Sequence, residues 1–330
     1  MKKISILIPA YNEEDVLETL YHRLGKLAND IKSYEFEFIF ADDGSTDDTL
    51  KMIKEYAETD DRIGYISLSR NFGKETAMIA GFDHVTGDAM VIIDADLQDP
   101  PELIPRMIKY WEEGYDDVYA KRNIREGETW FKMLTANTYY WLLNKMTKTQ
   151  LIKIPQNTGD FRLLDRRCID ALKELRESER YTKGMYSWIG YKKKEITYNR
   201  SPRLAGEIKQ NYRKLTNLAF DGITSFSTTP LRISTFLGII VSVVAFIYLI
   251  YILIKSAMFG DAVAGYPSMM AVVLFLGGVQ LLSLGVIGEY IGRIFKESKH
   301  RPLYFIEESH IAKNTKKTRW KSSFCSCRWR

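Results

Sequence analysis

Between residues 4 and 120, short apolar runs of strand length alternate with stretches whose apolar positions recur at helical spacing. Residues 4–9, 36–41, 63–68, 90–93 and 118–120 read as strands, and 14–31, 47–57, 74–85 and 102–113 as helices. Strands that alternate with helices predict a mostly parallel α/β sheet. In such sheets ligands gather at the carboxyl ends of the strands. Four polar clusters fall there: Tyr11-Asn12-Glu13, Asp42-Asp43-Gly44, Ser69-Arg70-Asn71 and Asp94-Ala95-Asp96 each follow a strand directly. One site at one sheet edge is the expectation.

The pattern changes further along. Residues 126–146 keep helical spacing but are rich in aromatics, and 193–199 read as an edge strand. Residues 212–227 follow a run of basic side chains and have the spacing of an amphipathic helix lying in a membrane interface. No charged residue occurs from 233 to 254, nor from 262 to 288. At 1.5 Å of rise per residue, the first of these stretches reaches about 33 Å, enough for a hydrocarbon core of roughly 30 Å. Two spans are expected, 231–254 and 267–292. Basic residues crowd the outer flanks of the pair, while the 255–266 loop has one Lys and one Asp. The positive-inside rule then puts both termini in the cytoplasm. Glu289, near the inner end of the second span, is within reach of Arg293 and needs no functional explanation. The expected division is a catalytic domain over 1–208, a juxtamembrane amphipathic region over 209–230, the spans within 231–294, and a basic cytoplasmic tail over 295–330.

Charge adds little for the body of the protein. The net charge of +5 falls to −2 once the seven basic residues beyond Ala312 are removed, so a nucleic-acid partner is not expected. That tail reads as a solvated end or as a contact for anionic headgroups. Three cysteines, Cys168, Cys325 and Cys327, make no paired framework and fit a reducing compartment. The apolar run at 4–9 is too short for a signal sequence and reads as a first buried strand.

The strongest chemical signal is Asp94-Ala95-Asp96-Leu97-Gln98-Asp99-Pro100-Pro101-Glu102. Two carboxylates leaving a buried strand at i and i+2, with the Gln98 carbonyl, are hard oxygen donors suited to Mg²⁺ or Mn²⁺ carrying a diphosphate. The second signal is Asp42-Asp43-Gly44-Ser45-Thr46-Asp47. Part of it serves as a helix cap, but two acids before the glycine exceed what a cap needs. Such acids can accept hydrogen bonds from a ribose or a base. Gly73-Lys74 lacks the flanking residues of a phosphate-binding P-loop, and no G-x-G-x-x-G follows a strand, which disfavours P-loop ATPases and dinucleotide enzymes.

Together with Ile8-Pro9-Ala10-Tyr11-Asn12-Glu13 and Ser69-Arg70-Asn71-Phe72-Gly73-Lys74, these motifs resemble family 2 glycosyltransferases of the GT-A fold. Within that family the chain is similar to bacterial polyprenyl-phosphate glycosyltransferases of the bactoprenol glucosyltransferase branch, relatives of dolichol-phosphate mannose synthase. The resemblance implies a GT-A catalytic domain with interfacial helices and a two-helix transmembrane hairpin. It implies inverting transfer of a sugar, glucose or N-acetylglucosamine, from a UDP-sugar to a polyprenyl phosphate. The place implied is the cytoplasmic face of a bacterial inner membrane, and the product would serve cell-envelope glycans. Pro9, Tyr11, Glu13, Asp42 and Asp94 would line the nucleotide pocket, and Asp94, Asp96 and Gln98 would hold Mg²⁺ or Mn²⁺. Asp160 stands where the family has its catalytic carboxylate, with Asp96 as the acid of the metal motif. Arg122, Lys132, Arg200 and Arg203 would face the acceptor phosphate. Membrane lipids, a homo-oligomer and a downstream flippase are the implied partners. A phosphate monoester with a second pKa of about 6 is largely ionised at pH 7, so Asp160 is expected to orient the sugar or hold Arg162 rather than act as a base. Two other readings compete: polysaccharide synthesis, whose enzymes share the front half of the chain but need a Q-x-x-R-W motif that is absent here, and transfer to a lipid hydroxyl such as diacylglycerol, which an acceptor assay separates.

Overall fold

A computed structural model of the chain describes residues 1–123, 158–178, 180–199, 229–259 and 265–311. The first part runs β1 (Lys2–Ala10), α1 (Glu14–Asp30), β2 (Tyr34–Asp42), α2 (Thr49–Thr59), β3 (Ile63–Leu68), α3 (Lys74–His84) and β4 (Ala89–Ile92). A 3₁₀ turn (Pro101–Leu103), α4 (Ile104–Glu112) and β5 (Asp117–Arg122) follow. These elements match the expected positions to within two residues at each end.

Beyond them lie β6 (Thr158–Asp165), α5 (Arg166–Glu174), α6 (Thr182–Trp188) and β7 (Lys193–Tyr198). Two long helices come next, α7 (Thr229–Phe259) and α8 (Tyr266–Ser298), and then β8 (Ile306–His310). The described strands form one sheet in the order β7-β5-β6-β4-β1-β2-β3-β8. β1, β2, β3 and β4 pair in parallel, as expected, and β7 is the edge strand expected over 193–199. β6 runs antiparallel to both β4 and β5, and β8 antiparallel to β3.

Residues expected within the 295–330 tail therefore return to the sheet. The return is fastened by side chains on both sides of the hairpin. The Tyr304 hydroxyl donates to Asp83 Oδ2 at 2.7 Å, and the Ser178 amide donates to Glu297 Oε1 at 2.6 Å. Lys54 pairs with Glu308.

Alternation along the strands builds the core on both faces of the sheet. Ile4, Ile6 and Ile8 pack with Leu17, Leu20 and Leu24 of α1 and with Phe36, Phe38 and Phe40 of β2. Leu7 and Ile39 point the other way, against Ala77, Met78 and Phe82 of α3 and Ile169 and Leu172 of α5. A helix-covered, two-sided sheet leaves the strand ends as the open edge, and the site lies there.

α7 and α8 pack against each other but leave their apolar surface uncovered; Phe236 is 65% exposed, Phe275 61% and Leu281 72%. Phe275–Ser298 is long and apolar enough to cross a membrane, with a mean hydropathy of 1.4 and none of its apolar window buried. Arg293 Nη2 donates to Glu289 Oε1 at 3.1 Å, the local pairing expected for that acid. The expected helices at 126–146 and 212–227, the basic tail from 312 onward, and Lys132, Arg200 and Arg203 lie outside the described residues.

Candidate active site

The sheet register brings the two most chemically loaded segments together. β6 opposes β4 with Ile92 across from Arg162. Because the two strands are antiparallel, Asp94 lies two residues past Ile92 and Asp160 two residues before Arg162, at the same end of the pair. Between them stands the ammonium of Lys74, in the first turn of α3. Its Nζ lies 2.6 and 2.8 Å from the two Asp94 oxygens and 2.9 Å from Asp160 Oδ2. Burial pushes the Asp160 carboxyl upward, but the Lys74 charge and hydrogen bond, helped by Lys183 and Arg162, hold it below its ordinary value. Burial likewise opposes the charge on Lys74, and Asp94 and Asp160 outweigh it, so the amine stays protonated. Asp160 does not hold Arg162. That guanidinium pairs with the fully buried Asp117 on β5, Nη1 to Oδ2 at 3.0 Å, and lies 3.6 Å over the Tyr186 ring. Arg162 is committed to Asp117, and the cation that contacts Asp160 is Lys74.

The three loops at the parallel edge are tied to one another. Asn12 adopts a positive φ of 53°, a left-handed conformation that costs a non-glycine residue on the order of 1–3 kcal/mol. Hydrogen bonds across the gap to the next loop offset that cost: the side-chain Oδ1 accepts from the Thr46 backbone amide at 2.8 Å, and the Asn12 backbone N–H donates to Ser45 Oγ at 3.1 Å. Gly44 has a φ of 70°, and a Cβ there would lie 2.6 Å from the Arg70 carbonyl carbon, so only glycine fits. Asp43 accepts from the amides of Phe72 at 2.7 Å and Gly73 at 2.9 Å. This fixes the backbone from which Lys74 springs. Asp42 is wholly buried and accepts from Ser67 Oγ at 2.7 Å and the Ser45 amide at 3.1 Å. The surplus acids of the 42–47 motif therefore brace the loops, and Asp47, just ahead of α2, accepts from the Thr49 amide at 3.0 Å.

The remaining sequence candidates fall around this edge. Pro9 is buried near the end of β1, Glu13 is half-buried, and the Tyr11 ring beyond the strand is 43% exposed, an open face for a planar base. Asp96 and Gln98 are buried, and Asp96 Oδ1 accepts from the Gln98 amide at 3.1 Å across Leu97, which also has a positive φ, of 57°. On the other side Arg122 Nε donates to the Tyr198 hydroxyl at 3.2 Å, and that hydroxyl hydrogen-bonds Asp99. Gly159 lets the guanidinium lie close: a Cβ there would come within 2.7 Å of Arg122 Nη2. Arg122, at the end of β5, thus lies against Gly159, the residue that precedes Asp160 on β6.

Among the described residues no three His, Cys, Asp or Glu side chains are gathered as a metal cage. Two aspartates leaving β4, with a buried amide side chain nearby, instead suit a hard divalent cation that brings oxygen ligands of its own. The Lys74 ammonium, standing between Asp94 and Asp160, marks the place as one built for positive charge. The donor set fits Mg²⁺ or Mn²⁺.

Glu75, next to Lys74, lies outside every sequence motif named above. Its carboxyl is pushed up to about 7, chiefly by burial and further by the Asp160 charge, although its Oε2 accepts from the Thr182 amide at 3.2 Å. Between the ordinary value of 4.5 and 7, the folded chain holds a proton that the unfolded chain has lost, so this group's contribution to stability falls as pH rises through that window. Glu75→Gln should remove that slope. The melting temperature of the variant relative to the parent should rise steadily between pH 5 and 8, and a pH-independent difference would contradict the assignment.

Comparison with known proteins bears on the whole chain. Residues 5–173 match the family described as Glycosyl transferase family 2, and residues 229–294 match a GtrB C-terminal hairpin. The chain is 49% identical over 306 residues to an uncharacterized glycosyltransferase of Synechocystis sp., covering 93% of this chain and 95% of that protein. It is 46% identical over 305 residues to the bactoprenol glucosyl transferase of Shigella phage SfX, covering 92% and 99%. A solved structure, mannosyl-3-phosphoglycerate synthase from Rubrobacter xylanophilus, is similar at 18% identity and a TM-score of 0.46, over 67% of this chain and 71% of that one. The hairpin makes this a membrane-associated protein. By a family match over more than half of its length and by relatives that align along nearly all of it, the chain belongs to glycosyl transferase family 2.

Proposed function

We propose that this transferase moves a sugar from a UDP-sugar to a polyprenyl phosphate at the membrane surface, inverting the anomeric carbon in one displacement. The observation that carries this reading is the union, in one chain, of a carboxylate-lined sheet edge with an uncovered apolar hairpin. A water-soluble donor and a membrane-borne acceptor require such a pairing. The similarity to a bactoprenol glucosyl transferase, hairpin included, names the same acceptor class.

In this reading Tyr11, with Pro9, Glu13 and the Asp42 loop, receives the nucleotide. Asp94, Asp96 and Gln98 hold the divalent metal, Mg²⁺ or Mn²⁺, which supplies positive charge to the leaving diphosphate. Arg122 faces the acceptor phosphate together with Lys132, Arg200 and Arg203. Asp160 fixes the geometry between acceptor oxygen and sugar. The sugar is glucose or N-acetylglucosamine. Both spans cross the cytoplasmic membrane of a bacterium, with the catalytic domain and both termini on the cytoplasmic side.

The test uses sealed inside-out membrane vesicles that contain the protein. They are supplied with undecaprenyl phosphate and either radiolabelled UDP-glucose or UDP-N-acetylglucosamine. One donor should place label in the organic phase, as a lipid whose sugar is released by mild acid. Right-side-out vesicles should give none. Label on diacylglycerol, or in a polymer, would replace this acceptor assignment.

A further inference from the structure

Lys74 belongs to no role so far assigned, yet it touches both carboxylates that the register brings together. Its amine is 2.6 Å from Asp94 Oδ1 and 2.9 Å from Asp160 Oδ2, while its side chain remains 43% exposed. The backbone beneath it is pinned by Asp43 through the Phe72 and Gly73 amides. A fixed root with a flexible four-carbon stem can hold a charge in place and also withdraw it.

We propose that Lys74 is a positioning residue that acts as an internal cation. It clamps Asp94 and Asp160 together before donor binds, and it yields Asp94 to the divalent metal while keeping Asp160 oriented. The inference rests on the reading of 94–98 as a metal motif. Two carboxylates facing each other across adjacent strands repel unless positive charge lies between them. In the donor-free protein that charge is the Lys74 ammonium. A divalent ion arriving at Asp94 competes with it for the same oxygens, whereas Asp160 keeps its hydrogen bond. Lys74 is thus a competitor of the metal at one carboxylate and the orienting partner of the other. A purely structural ion pair would oppose nothing.

The experiment compares the full-length protein in detergent micelles with Lys74→Met and Lys74→Arg, first by Mn²⁺ titration with no substrate present. Lys74→Met, relieved of the competitor, should bind Mn²⁺ about tenfold more tightly, and Lys74→Arg should stay near the parent. Lys74→Gln carries the same comparison should Lys74→Met fail to fold, as judged by thermal melting. In turnover, Lys74→Met should lower kcat about tenfold with little change in the donor KM, the size expected for a group that orients another. Lys74→Arg should recover most of it. Combined with Asp160→Asn, Lys74→Met should cost little more than Asp160→Asn alone. Unchanged or weaker Mn²⁺ binding in Lys74→Met, or losses that multiply in the double variant, would overturn the proposal. Absence of Mn²⁺ binding in every variant would overturn the metal motif and this inference with it. None of these titrations depends on the acceptor, so a wrong acceptor assignment leaves the result standing.

Discussion

Asp96→Asn should lower sugar transfer at least about 10²-fold, and EDTA should abolish it in the parent protein until Mg²⁺ or Mn²⁺ is restored. The structure makes this substitution a clean one. Asp96 is buried after β4, and one of its oxygens accepts from the Gln98 amide at 3.1 Å. An asparagine oxygen can accept the same bond, so the left-handed turn at Leu97 keeps its support. What is lost is the negative charge and a hard oxygen donor. Thermal melting of the variant should therefore stay close to the parent while turnover collapses. Adding excess Mn²⁺ should not rescue it, because the missing ligand is the protein's own. Turnover that persists in EDTA, or an Asp96→Asn protein within a few-fold of the parent, would remove the metal from this site.

How far the site could be read from sequence differs by segment, for physical reasons. β1 to β5 and the intervening helices are legible because each signal is local: short apolar runs of strand length, separated by stretches of helical length that supply their own buried side chains. β6 is harder to read as a strand. In Thr158-Gly159-Asp160-Phe161-Arg162 the polar residues face Lys74 and Tyr186, so the run does not look like a buried strand until its partners are known. β8 was hidden for another reason. Ile306–His310 is a short, half-polar edge strand separated from β3 by the whole hairpin, and nothing nearby in sequence announces such a pairing. Asp94 and Asp160 were each found as motifs, but the register that makes them neighbours is a tertiary fact. Lys74 closes the motif Ser69-Arg70-Asn71-Phe72-Gly73-Lys74, which contributes to the family resemblance but gives the lysine no role of its own. Its meaning comes from the two carboxylates it meets. Asp160 does not hold Arg162, because sequence shows only the neighbour on the same strand, whereas the guanidinium crosses to Asp117 on the adjacent one.

Asp160→Asn should leave measurable turnover, reduced by about 10²-fold or less, the scale of a misplaced reacting group rather than of a lost base. Two observations lead there. The acceptor phosphate, with a second pKa of about 6, arrives at pH 7 as a competent nucleophile. The Asp160 carboxyl, held low by Lys74 despite its burial, is a poor proton acceptor near neutrality, where an effective general base has a pKa close to the working pH. The pH profile separates the two roles with the sign fixed in advance. If the phosphate supplies the ionised nucleophile, kcat/KM should fall as pH drops below about 6, in the parent and in Asp160→Asn alike. A phosphonate acceptor with a higher second pKa should carry that acidic limb upward in both proteins. An obligatory base would behave otherwise: the limb would lie at the carboxyl's own depressed pKa, ignore the change of acceptor, and vanish in Asp160→Asn together with nearly all activity. The first pattern makes Asp160 the group that aims a nucleophile already charged, held in place by Lys74; the second would restore it as the base.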